Sequence, residues 1–250
     1  MLRGMRLLVL ALVTGLALVT GCSAPAASSS ASATTESVAP SPDPTASASP
    51  SSMDSLPAPI PHEVAARPND ELRAELLEML AEDQSVRTGI PLPGDKRSAE
   101  ELFADMANVD ARNSARLREI LDEFGWPGWS LVGRDGSEAA WALTQHADFQ
   151  PDVQELGLAH LRGAVEADDA SPGDLAYLMD RVLVRMNLPQ IYGTQLGAGP
   201  DGELAPRTPI EDEANVDARR AAAGLGTLEE YFEEFRQAME EPISSTAPGP

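Results

Sequence analysis

The side chains able to do chemistry in this sequence fall in a few places. Gln145-His146-Ala147-Asp148 sets a carboxylate two residues from an imidazole. A carboxylate beside an imidazole orients the ring and fixes its tautomer for general-base work, so His146 and Asp148 are the candidate catalytic pair. Such a pair also suits a metal, but two ligands two residues apart do not complete a site, and no metal or other cofactor is expected. The plain alternative is a histidine stabilised at a helix C-terminus by the helix dipole. His62 is expected to be solvated at the edge of a linker, and His160, beside Leu156 and Leu161, to be a packed surface residue. Ser130 lacks a nucleophile-elbow context, Lys96 lacks a phosphate-binding loop, and the acids show no calcium-loop spacing.

A second set of residues is polar where the helical period calls for apolar. Asp83, Gln84 and Arg87 extend the face carrying Leu76 and Leu80, and Asp110 and Asn113 share a face with Met106 and Leu117. Asp180 and Arg181 border the stripe ending at Val182 and Arg185. Gln190, Tyr192 and Gln195 follow, and Arg219-Arg220 precedes Gly224-Leu225. Tyr192 with Arg181 or Arg219 is a candidate grip for an anion. Adjacent Arg219 and Arg220 point in different directions on a helix, so at most one is expected to enter a shared cleft. An unpartnered polar group facing a core costs roughly 1–3 kcal/mol, so these residues have to meet each other or a ligand. One outcome is a sealed network that fixes helix register. The other is a polar cleft with Asp83, Gln84, Arg87, Gln145, Asp180, Arg181, Gln190, Tyr192, Gln195 and Arg219 as ligand-binding candidates.

The elements that must position these residues are mostly helical. The pattern predicts an all-α fold of about seven helices with one small β-hairpin over residues 62–241. A helix begins near Asn69 or Asp70. Ser98-Ala-Glu-Glu101 is a capping box, with Leu102, Val109, Leu117, Ile120 and Leu121 behind it. Gly133–Gly136 reads as a turn, with a short helix from there to about His146. Pro151 opens a helix to about Ala167, and Ser171-Pro-Gly-Asp174 caps another that Pro189 stops. Thr208-Pro-Ile-Glu211 and Thr227-Leu-Glu-Glu230 begin two more, the last with Leu228, Phe232, Phe235 and Met239 as its stripe. Gln190–Leu196 and Glu203–Ala205 flank a hairpin turn.

Composition limits the function. The chain has 250 residues, 40 acidic against 18 basic, and a net charge of −22, nearly all of it within 62–241. That balance argues against nucleic acid as a partner. One cysteine excludes an intramolecular disulfide. Residues 1–21 read as a signal peptide: Arg3 and Arg6, an apolar run too short for a comfortable membrane span, then small residues. Val19-Thr20-Gly21-Cys22 resembles the bacterial lipoprotein lipobox, which implies cleavage before Cys22 and its acylation (diacylglycerol, with palmitate among the chains). Residues 22–61 are dominated by Ser, Ala, Pro and Thr and read as a disordered linker, and 242–250 as a disordered tail. The expected location is the outer face of a bacterial cell membrane.

The pattern Asp83-Gln84-x-x-Arg87, Gln145-His146-x-Asp148, Asp180-Arg181, Gln190-x-Tyr192-Gly193-Thr194-Gln195 and Arg219-Arg220 also resembles an uncharacterised bacterial family, a domain of unknown function, over about residues 70–240. The resemblance implies a shared fold and brings no activity with it. Three functions stay open at this point: an envelope binding or interaction module, an envelope hydrolase using His146 and Asp148, and a structural domain without a ligand. Replacing the lipidation residue, Cys22→Ala, is expected to move the protein from the membrane fraction to the soluble one. A variant that stays membrane-bound, beside wild type that is never processed, contradicts the anchor.

Overall fold

A computed structural model describes residues 51–87, 97–200 and 202–240. The expected signal peptide, the lipidation site and most of the linker and tail lie outside the described residues. Seven α-helices and one two-stranded antiparallel hairpin make up the described part, an all-α fold. The helices are α1 (Asp70–Arg87), α2 (Ala99–Phe124), α3 (Trp129–Gln145), α4 (Pro151–Glu166), α5 (Pro172–Arg185), α6 (Val216–Ala222) and α7 (Leu228–Glu240), with β1 (Leu196–Ala198) and β2 (Leu204–Pro206) between α5 and α6. No described helix is long and apolar enough to cross a membrane.

Local chemistry sets most helix starts. Asn69 Oδ1 accepts the Leu72 amide at 3.0 Å, and Ser98 and Glu101 form the reciprocal capping box. Ser171 accepts the Asp174 amide, and Thr227 and Glu230 cap α7 reciprocally. Three elements differ from the pattern. Helix α3 begins at Trp129 and carries Gly133 inside it as a kink, since a positive φ of 72° breaks the helix without ending it. Thr208–Glu211 starts no helix, because Ile210 bridges to Gln190 instead, and the next helix waits until Val216. The hairpin is shorter than expected: Gln190–Gln195 is a loop, and pairing runs only from Leu196↔Pro206 to Ala198↔Leu204.

Helix α3 is the axis of the domain. It packs against α1, α2, α4 and α5, and every residue from Gly136 to Gln145 is buried. Leu76, Leu117, Ile120, Leu158, Leu178 and Val182 close around it, each fully buried apolar side chain contributing roughly 1.5–3 kcal/mol. A smaller cluster of Leu196, Tyr231 and Phe235 seats α7 on the hairpin; Phe235 and Tyr231, not Leu228, are the buried side chains of that helix. Edge-to-face contacts from Trp141 to Tyr177 to Tyr231 join the two clusters, with centroids 6.1 and 5.9 Å apart.

The linker expected through residue 61 does not stay free of the domain to its end. From Ser51 to Ala65 the chain lies as a strap across it. Ser51 and Ser52 bond Glu211 at 2.8 Å, Leu56 is buried, Arg162 donates to the Pro57 carbonyl, and the Ile60 amide donates to Ala159 O at 2.9 Å. His62 is correspondingly buried, not solvated: its Nε2 meets Asp169 Oδ2 at 2.9 Å, and Asp169 also takes the Ser130 hydroxyl at 2.6 Å. A segment with no apolar period docks by backbone bonds and isolated contacts, which composition does not display. At Gly163 an added Cβ would lie 1.8 Å from the Ile60 carbonyl oxygen. Gly163→Ala is therefore expected to lift the strap and cost roughly 1–3 kcal/mol in thermal or urea unfolding. In a chain starting at residue 66 the same change is expected to be neutral or stabilising, since alanine is the better helix former. Equal losses in both backgrounds refute the strap contact.

Candidate ligand site at the buried end of α3

Because α3 runs through the core, its C-terminus ends inside the protein, where its last carbonyls need donors. Gln154, fully buried on α4, supplies them: its Nε2 lies 3.3 Å from Gln145 O and 3.5 Å from Thr144 O. The same Nε2 donates to Asp148 Oδ1 at 3.2 Å. Gln145 turns back into the core. With its amide oriented to satisfy both ends, its oxygen accepts from Trp141 Nε1 at 3.2 Å and from the Leu178 amide at 3.0 Å.

His146 follows, and three helices bring charge to it. Asp83 and Arg87 come from the end of α1, Asp110 from α2, and Arg181 from α5. Both Asp83 oxygens lie 2.9 Å from His146 Nδ1, and Arg87 bridges Asp83 Oδ1 at 3.0 Å to Asp110. Arg87 Nε also stands 3.0 Å from Nδ1. One nitrogen cannot donate to a carboxylate and accept from a guanidinium together. A lone pair aimed at a carboxylate is repulsive, so the proton sits on Nδ1 and the Arg87 approach is a contact. Nε2 is then a bare lone pair, and it makes no hydrogen bond with any described residue, although His146 is only 6% exposed. Gln84 adds a bond to Asp83 Oδ2 at 2.9 Å.

The pair expected from spacing does not form a dyad. Asp148 turns to Arg181, which reaches it through Nε at 2.9 Å and through a second nitrogen. The imidazole's carboxylate is Asp83, 63 positions away. Asp148 and Arg181 form the outer edge of the cluster, the Asp148 side chain being 45% exposed and Arg181 10%.

Burial and charge pull the protonation states apart. Burial pushes Asp110 up to about 6, with Asp83 adding to the push and Arg87 opposing it. Burial lowers His146 and keeps it neutral, against the pull of Asp83. Burial also works to raise Asp83 and Asp148, but His146 and Arg87 hold the first below the usual carboxylate range, and Arg181 the second. The guanidinium of Arg87 occupies the place between Asp83 and Asp110, and no described group of three His, Cys, Asp or Glu residues is arranged for a metal ion.

The remaining candidates belong to a second network with a different task. Asp180, fully buried, accepts the amides of Ile191 at 2.7 Å, Tyr192 at 3.1 Å and Thr194 at 2.9 Å, and the Thr194 hydroxyl at 3.0 Å. Burial raises its pKa against these bonds. Gln190 clamps the same loop, accepting the Gln195 amide and donating to the Gln195 and Thr208 carbonyls. Gln195 donates to Tyr177 O, and Arg219 binds the carbonyls of Ile191, Glu211 and Asp212. Tyr192 shares its backbone with this network, and no hydrogen bond among the described residues joins it to His146. Asp180, Gln190, Gln195 and Arg219 are committed to backbone groups, so they hold the loop, and Arg219 is spent on carbonyls instead of pairing with Tyr192 around an anion. Of the two arginines it is Arg220 that enters the interior, donating to Gly226 O and Tyr192 O over the Tyr231 ring.

Asp110 and Arg220, polar residues in apolar registers but not ligand-binding candidates, and Gln154 complete these networks. Gln154 had a readable signal, since it lies on the face of Leu158 and Leu161. The fold and the two networks define an all-helical domain with a buried ionic cluster at one helix end. Residues 70–241 match the model of DUF6624, a family of unknown function, and the chain belongs to that family. No curated protein and no solved structure matches it.

A raised carboxyl pKa means the folded state binds a proton that the unfolded chain has already released. Stability from Asp110 is therefore full near pH 4 and declines as pH rises through about 6. Relative to Asp110→Asn, wild type is expected to lose roughly 1–2 kcal/mol between pH 4 and 7 in urea unfolding, solvent screening keeping the loss below full conversion of the shift. A constant difference across that range contradicts the assignment.

Proposed function

We propose that the protein is a lipid-anchored binding module on the outer face of the bacterial envelope, with Asp83, Arg87, Asp110, His146, Asp148 and Arg181 as its ligand site. The observation carrying this reading is the unequal commitment of the two networks. Around Asp180 the side chains are spent on backbone. At the end of α3, six ionisable groups converge, His146 Nε2 has no partner among the described residues, and Asp148 reaches solvent. The lipobox-like Val19–Cys22 supports the anchoring, and the acidic surface suits a domain held off anionic headgroups. The test is a thermal-shift screen of residues 23–250 with cell-wall fragments and metabolites, comparing wild type with Arg181→Ala. A hit that raises Tm in wild type by several degrees and not in the variant is expected. Hits indifferent to Arg181, or none at all, overturn the site.

A second reading rests on the Asp83 carboxylate behind His146 Nδ1, which is the arrangement that makes Nε2 a general base. In that case one of the bound fragments is hydrolysed, and His146→Gln retains binding while abolishing turnover.

A further inference from the structure

The chemistry left unmet at the end of α3 defines what this site accepts. Among the described residues the cluster holds three carboxylates, Asp83, Asp110 and Asp148, against two guanidinium groups, Arg87 and Arg181, with His146 neutral. Both guanidiniums are already engaged by carboxylates. The C-terminal end of α3 adds the negative pole of its dipole. Two acceptors are also without donors among the described residues. Gln154 Oε1 is fully buried and unpartnered among the described residues, on the amide whose Nε2 is bonded to Asp148 Oδ1 at 3.2 Å. His146 Nε2 is a lone pair in a side chain that is more than nine-tenths buried. Every unmet group is thus an acceptor, and the net charge is negative. An anion would meet like charge and no free donor. A hydroxyl would supply one donor and no charge.

We propose that the site takes a primary ammonium group, with the Asp148 carboxylate as its counter-ion and His146 Nε2 and Gln154 Oε1 as its further acceptors. An ammonium brings three donors and one positive charge, which matches the unmet acceptors and the excess charge together. Asp148 is the entry point because it alone in the cluster reaches far into solvent. The chemical class is an amine-bearing small molecule or the amino group of an envelope polymer or peptide, and it rests on the reading of the cluster as a binding site.

The test uses residues 23–250 and three probes of one size: n-butylammonium chloride, sodium butyrate and n-butanol. Isothermal titration and the ¹⁵N resonance of His146 Nε2 are the readouts. The expected result is saturable binding of butylammonium with a shift of that resonance, no response to butyrate or butanol, and about tenfold weaker binding in Asp148→Asn. The resonance shift needs no variant, so it stands if the substitution impairs folding. Separating amine from polymer, an N-acetylated fragment is expected to lose the binding its free-amine form shows. Butyrate binding in place of butylammonium overturns the ammonium while the cluster survives as a binding site. Silence from all probes, together with an Arg181-indifferent fragment screen, overturns both. A Gln154 oxygen satisfied by water alone appears as butylammonium failing to bind, and overturns the proposal.

Discussion

A helix that runs through the middle of a domain has to end there, and its last carbonyls must then be satisfied without bulk water. That requirement at the end of α3 organises the candidate site. Gln154 is buried because it is the donor that reaches Gln145 O and Thr144 O. Gln145 turns inward to Trp141 and Leu178, so His146 emerges beneath α1. The helix end is negative, which suits cations there, and Arg87 and Arg181 flank it. Each guanidinium in turn needs its carboxylate: Asp83 and Asp110 for the first, Asp148 for the second. The charge cluster follows from the burial of one helix terminus.

The other network answers a different need. The chain between Gln190 and Leu196 has neither helix nor strand to pair its amides, and it is packed against the core. Asp180 takes those amides one by one, and Gln190 closes the loop from the other side. Asp180 and Arg181 are neighbours about 100° apart on α5, so one residue pair serves both networks in two different directions. A carboxylate buried against amides with no cation in contact holds a shape; one paired at a half-open edge is available to exchange partners. The family to which the chain belongs has no recorded activity, so the distinction rests on this geometry alone.

The sequence made the helices legible because their starts carry local chemistry: Ser98 with Glu101, Ser171 with Asp174, Thr227 with Glu230. It also exposed Asp83, Arg87 and Asp110 as polar residues in apolar registers, because a helical period is a statement about one face. It could not divide those misfits into two groups, since the division depends on which helices touch. His146 was visible and its partner was not: Asp148 is near in sequence, but its side chain meets Arg181, while Asp83 arrives from another helix. The choice of Arg220 over Arg219 for the interior turned on the phase of a seven-residue helix after an irregular segment. The strap was illegible for a simpler reason. Ser, Pro and Ala carry no periodic signal, and several of its contacts pair residues more than a hundred positions apart.

The strap changes how the domain meets a pull. Among the described residues, tension along the chain from its N-terminal side meets Ser51 first, at Glu211, and not the start of α1. Between that point and Asp70 the load is shared by Ile60 against Ala159, Pro57 against Arg162, His62 against Asp169 and Ala65 against Ser130. These bonds are anchored on separate helices and loops, so the first event under force is the peeling of a strap. The helical core, and the ionic cluster within it, stays mechanically shielded until that strap has come away.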